Sequence, residues 1–380
     1  MPNQDWRRYI GLREAGVYYA FALLMIVLGV VTHLTGRPNY FSPTNLTNIL
    51  YQSSMIAMMG VAMTVILITG NFDLSVASVA ALGAALTVAL AGPLGFWTAA
   101  LIAIVACVLV GILNGAIVQF VGINAFIVTL GTLTAIRGLV LILTDGRSLI
   151  VSTSQAKAQM VAFEGGRVPI QTALFVVAGL LVGIGLWRAL RARPEPLPIG
   201  AAGAVVAGLI AAILAFLGGP HLSVAAPVVY TAIYTGVIWC VLNFTTIGRR
   251  LYATGGNAVA ARLSGVNVNA YKMGAFILSS ATAGLAGVLF GSRLGAVNPT
   301  ALQGAELTVI ASAILGGTSL FGGAGSVIKT LVGALLLFTL NNGFNILNLG
   351  ANYQGVIEGT VVVAAAAIYT VGGTRRRAPA

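Results

Sequence analysis

Apolar runs long enough to cross a lipid bilayer fill most of this chain from residue 15 to residue 371. A spanning helix needs about 20 mainly apolar residues. The runs place spans near 15–35, 45–69, 73–91, 95–120, 123–143, 170–187, 199–217, 226–243, 268–291, 305–320, 326–347 and 353–371. Lipid offers no partner for backbone N–H and C=O groups, so runs of this length must fold as helices that satisfy their own hydrogen bonds. Charged residues make up only 7% of the sequence, against about 25% in a soluble domain. The expected fold is an all-α polytopic membrane protein of about 12 spans, with no room beside them for a water-soluble domain of ordinary size.

The net charge of +12 comes from 20 Lys and Arg against 8 Asp and Glu. These cations fall in loops, where the positive-inside rule puts them, so they argue for topology and not for nucleic-acid binding. With the N-terminus inside, the inside loops and ends collect 14 of them. The outside loops collect Arg37, Arg147, Lys157, Arg167 and Arg293, and Arg137 lies within a span. Both termini are then cytoplasmic. The first apolar run is too long for a cleaved signal and has no small-residue cleavage site, so it reads as a retained span. Cys107 and Cys240 lie inside apolar runs and read as small buried hydrophobes, not as a disulfide or a metal pair. His33 and His221 by themselves make no metal site.

An internal repeat organises the chain. DLSVASVAALG (73–83) resembles ELTVIASAILG (306–316), and NGAIVQFVGINAFIVTLGT (114–132) aligns without gaps to NGFNILNLGANYQGVIEGT (342–360), with seven of nineteen positions identical. Each half holds five spans, an odd number, so the halves run oppositely through the membrane. Inverted repeats of this kind put a substrate path at the repeat interface. The expected division is a first five-helix repeat over 1–143, an external loop with an inserted helical hairpin over 144–225, and a second, inverted five-helix repeat over 226–380. The proline-bearing turn ARPEPLP (192–198) joins the two helices of the hairpin.

Few residues carry chemistry. Asp73 and Glu306 open the two repeat-related helices, with Ser75 and Thr308 two residues on. Carboxylates and hydroxyls there fit two compatible roles, capping free amides and lining a hydrophilic path. Arg137 and Glu358 are intramembrane charges, which pair with one another or face a cavity. Asn114 and Asn342 fit interhelical hydrogen bonding or contact with a polar cargo. GAGSVIKT (323–330) lacks the glycine spacing of a phosphate-binding loop, so this chain does not handle ATP by that route.

The polar stretch TTIGRRLYATGGNAVAARLSGV (245–266) lies between two long apolar runs. Asn257 is placed to cap a short helix that Gly265 ends. Val259 and Leu263 are four apart and share a face, with Arg262 beside them. Such a rod suits a groove on a partner protein or the headgroup layer.

Four ordered motifs, GNFDLSVAS (70–78), NAFIVTLGTLTAIRGL (124–139), GRRLYATGGNAVAARLSGV (248–266) and ELTVIASAILGGTSLFGGAGS (306–326), resemble the permeases of ribose- and xylose-type monosaccharide ABC importers. The extra hairpin near 170–217 and GSRLGAVNPT (291–300) look more like the xylose type. The resemblance implies several partners: a second permease copy, cytoplasmic ATPase subunits that bind Mg-ATP, and a soluble or periplasmic sugar-binding protein. It also implies a multi-pass location in the bacterial inner membrane. It implies that Arg249, Arg250, Gly255, Gly256, Asn257, Ala260, Ala261, Arg262, Leu263, Ser264 and Gly265 form the loop that docks on the ATPase. Asn71-Phe72 stands where Gly-Ile is common in that family, and Ala77 where Gly is common.

The function expected is a transport subunit, not an enzyme. It holds no cofactor or metal of its own and passes a pentose such as xylose or ribose inward by alternating access. The candidates for the path are Asp73, Ser75, Asn114, Arg137, Glu306, Thr308, Asn342 and Glu358. The rivals are a permease of the related amino-acid importers and an ion-coupled secondary transporter. The scarcity of intramembrane acids argues against the second.

Overall fold

The computed structural model describes residues 12–191, 199–219 and 222–349, together with 355–356 and 359–360. Most of the run 353–371, both ends of the chain, the turn 192–198 and Glu358 lie outside the described residues.

The described chain is helical. In order it forms α1 (Leu12–Leu34), α2 (Pro43–Ile68), α3 (Val76–Leu94), α4 (Phe96–Ala116, continued by a π-turn over Ile117–Val121) and α5 (Ala125–Leu143). A lateral helix α6 (Ser154–Glu164) follows, then the hairpin α7 (Gln171–Arg191) and α8 (Ile199–Gly218). The second half contains α9 (Ala226–Phe244), α10 (Thr246–Gly256), α11 (Ala258–Leu263), α12 (Val268–Leu294), α13 (Ala305–Leu315) and α14 (Val327–Leu347). Four very short strands pair two by two. Leu149–Ile150 lies antiparallel to Ala296–Val297, and Arg167–Pro169 lies antiparallel to Ser223–Ala225.

Eight of these helices are long and apolar enough to cross a membrane: α1 to α5, α9, α12 and α14. They match eight of the twelve expected spans. The run 305–320 is shorter than expected, because α13 stops at Leu315, where Gly316 caps the helix and Gly317 takes a φ of +79°. The runs 170–187 and 199–217 are helices that pack principally on each other.

α2 and α12 form the centre. α12 packs along α3 and α4, while α2 packs along α13 and α14, and the two touch. Small residues permit the close approach. A Cβ on Gly83 of α3 would lie 3.0 Å from the Gly284 carbonyl of α12. Around this core, the outer faces of α1, α4, α5 and α9 expose Leu23, Leu109, Ile127, Ile142 and Ile233. A bundle that is apolar outside and tightly packed inside is suited to lipid. Cys107 is buried as expected, but Cys240 is exposed on α9; hydropathy does not tell which face of a helix looks outward.

The connections gather at two ends. One end holds the 69–75 turn, the 245–267 segment and the 316–326 loop. The other holds 35–42, 144–170 and 295–304.

Candidate functional site

Residues 245–266 form two short helices where one was expected. Thr245 caps α10, its Oγ1 accepting from the Gly248 N–H at 3.3 Å. Gly248, Leu251 and Thr254 face inward, while Arg249 and Arg250 are exposed. Tyr252 donates to the Gly325 carbonyl at 2.9 Å. Burial pushes this phenol upward, which keeps the proton on the donor. Asn257 ends α10 and caps α11 as expected, its Oδ1 accepting from the Ala260 N–H at 3.0 Å. Gly265, with φ +80°, turns the chain so that the Val266 N–H reaches the Ala261 carbonyl at 3.0 Å, a closure that needs a left-handed residue. Ala261 is the buried contact of α11, and Ala260, Arg262, Leu263, Ser264 and Gly265 are exposed. Val259 and Leu263 are 71% and 85% exposed. Their shared face is an open apolar stripe.

The junction of α10 and α11 is seated on bare backbone. The Gly323 N–H donates to the Ile68 carbonyl at 2.9 Å. A Cβ on Gly255 would collide with that same carbonyl and lie 2.8 Å from the Gly323 nitrogen. A Cβ on Gly322 would lie 2.7 Å from the Gly255 oxygen and 3.0 Å from Gly70 Cα. Three segments, 68–70, 255–256 and 322–323, therefore meet with no side chain between them.

Next to this seat, Asp73, Ser75 and Asn114 come together. All three have no exposed surface. Asp73 Oδ1 accepts from the Ser75 N–H at 3.0 Å and from the Ser75 hydroxyl, and Oδ2 accepts from the Ser279 hydroxyl at 2.7 Å. Asn114 donates to Ser75 Oγ at 3.1 Å and accepts from the Thr132 hydroxyl at 2.6 Å. Ser279 on α12 and Thr132 on α5 were not legible as members of this group. Ser279 is one hydroxyl among several in a run of small residues, and Thr132 is one of three threonines on an apolar helix.

The remaining path candidates lie elsewhere. Arg137 on α5 donates to the Ala301 carbonyl at 2.6 Å, and Glu306 lies in the first turn of α13. Thr308 is half-buried. Asn342 on α14 donates to Asn45 Oδ1 at 2.9 Å. At that same end, Glu164 of α6 accepts from Arg293 of α12 at 2.8 Å, and the Arg293 guanidinium lies over the Tyr51 ring, 3.8 Å from its centroid.

Residues 45–366 match the family described as branched-chain amino acid transport system / permease component. The chain is 32% identical to a ribose import permease protein of Haemophilus influenzae, covering 94% of each. It is 34% identical to the ribose import permease protein of Escherichia coli K12, covering 90% of each. With the xylose transport system permease protein of Escherichia coli K12 the identity is 31%, over 97% of this chain and 95% of the relative. No solved structure matches it.

Proposed function

The chain belongs to the branched-chain amino acid transport system / permease component family, and from that premise we propose that it is the membrane subunit of an ATP-driven importer of a monosaccharide, a pentose such as ribose or xylose. The observation that carries this reading is the 31–34% identity to ribose and xylose permeases along nearly the whole chain. Cargo passes inward by alternating access. The ATPase subunits hold the Mg-ATP and grip the open apolar stripe of α11, with Arg249, Arg250 and Arg262 around it. A sugar-binding protein delivers cargo at the opposite end, to 144–168 and 293–304, and a second copy of the chain completes the pathway.

In this reading the chain crosses a bacterial inner membrane about 12 times, with both termini and the 245–266 element in the cytoplasm. The divisions are 1–143, 144–225 and 226–380. Support for inverted halves comes from reciprocal packing: α12 of the second half lies on α3 and α4 of the first, and α2 of the first lies on α13 and α14 of the second. Support also comes from the two asparagines. Asn114 is bonded at the end near the 245–266 element and Asn342 at the other. The path runs between α3, which follows Asp73 by three residues, and α13, which Glu306 opens, with Arg137 and Thr308 at its edge.

The test is uptake into proteoliposomes loaded with ATP and given the binding protein outside. Labelled ribose or xylose should enter only when the ATPase is present. Uptake without an ATPase, driven by a proton or sodium gradient, overturns the reading. The family description favours one second reading, import of a branched-chain amino acid, and labelled leucine in the same vesicles decides between the two.

A further inference from the structure

We infer that Asp73 is a positioning residue, a clasp that carries displacement of the 245–266 element into helices of both halves of the chain. The inference rests on the reading of that element as the place where an ATPase pulls.

The seat of the element is the end of α2. Ile68 and Gly70 touch Gly255, Gly322 and Gly323 through backbone alone. Contacts of this kind have no rotamers with which to absorb a shift. Movement of the α10–α11 junction therefore moves the 68–70 turn. A free turn would dissipate that motion within a few residues. This one is not free, because Asp73 follows Gly70 by three residues and is fastened on two sides.

On one side, Oδ2 receives the Ser279 hydroxyl of α12 at 2.7 Å. On the other, Oδ1 holds Ser75, the residue that begins α3, through both its N–H and its hydroxyl. Ser75 is held by Asn114 of α4, and Asn114 by Thr132 of α5. The connection runs from α12 through the turn to α3, α4 and α5. Asp73, Ser75, Asn114 and Ser279 have no exposed surface, so water does not compete for these bonds. A carboxylate suits the place because it accepts from both sides at once. An amide offers one acceptor oxygen and turns donors toward the other side.

The quantity that distinguishes a positioning role from a merely structural one is the number of sugars imported per ATP hydrolysed. A structural defect lowers the number of working complexes, so uptake and hydrolysis fall together. Loss of transmission lowers uptake while the ATPase still turns over. The experiment compares native chain, Asp73→Asn and Ser279→Ala, each reconstituted with the ATPase and binding protein, using labelled ribose and xylose. Uptake per ATP is expected to fall about tenfold in Asp73→Asn and several-fold in Ser279→Ala. Asp73→Glu is expected to recover less than half of the loss, because the longer side chain displaces Ser279. If Asp73→Asn does not fold, Ser279→Ala decides alone. An unchanged ratio in a folded variant overturns the clasp and leaves the importer reading standing. A native chain that imports neither sugar with ATP overturns the importer reading, and the transmission role falls with it.

Discussion

Glu164 and Arg293 form an ion pair at 2.8 Å, 129 residues apart in sequence, with 4% and 20% of their side chains exposed. The pair fastens the lateral helix α6 to the end of α12, and Arg293 extends the contact to α2 by lying over Tyr51 and donating to its carbonyl at 3.2 Å. Removing one partner leaves a buried charge alone. Glu164→Ala and Arg293→Ala should each destabilise by about 3–5 kcal/mol, and the double variant by less than the sum. Thermal unfolding in detergent checks this. Additive losses would show that the two groups do not stabilise one another.

Adjacent glycines at the seat should respond differently. A Cβ on Gly255 meets the Ile68 carbonyl and the Gly323 nitrogen, whereas a Cβ on Gly256 finds Gly323 Cα at 3.9 Å, an ordinary contact. Gly255→Ala should cost about 2–3 kcal/mol and Gly256→Ala less than about 0.5 kcal/mol. Equal thermal shifts for the two would show that the backbone seat yields.

Leu263 and Val259 present their face to solvent and contribute little to folding. Leu263→Asp should leave the melting temperature within about 2 °C of native while reducing co-purification of the ATPase at least about tenfold. Retention of the ATPase would show that the stripe is not the docking face.

Asn257 is one residue with two duties, ending α10 and capping α11. Asn257→Ala should destabilise the short helix by about 1 kcal/mol, and Asn257→Asp should keep the cap. Hydrogen exchange of the amides from 258 to 263 is the measurement. Faster exchange is expected in the first variant and not in the second.

Eight of the expected spans were legible because a bilayer demands length and apolarity, which a sequence displays openly. So was the helix of 258–263, since Asn257 and Gly265 mark its ends by local chemistry alone. What escaped depends on distant partners. Asp73 was visible as an acid, but its tie to Ser279 crosses 206 residues, and nothing near Ser279 distinguishes it from Ser280. Glu164 and Arg293 were visible only as two charges in separate loops. α10 was hidden because Gly248, Gly255 and Gly256 interrupt its stretch of sequence. Its inward face of Gly248, Leu251 and Thr254 becomes meaningful once the neighbouring loops fill the space beside it.

The strands that lead into and out of the hairpin α7–α8 pair with each other where it joins the bundle. Arg167 lies opposite Ala225, Val168 opposite Val224 and Pro169 opposite Ser223, and the Ala226 N–H donates to the Gly166 carbonyl at 2.8 Å. Its entry and exit strands are thus already zipped together. Among the described residues α7 and α8 pack principally on each other, so a short turn across the zip is expected to leave the remaining helices in place. The same doorway is expected to accept a soluble reporter in exchange, a handle placed away from the central helices α2 and α12.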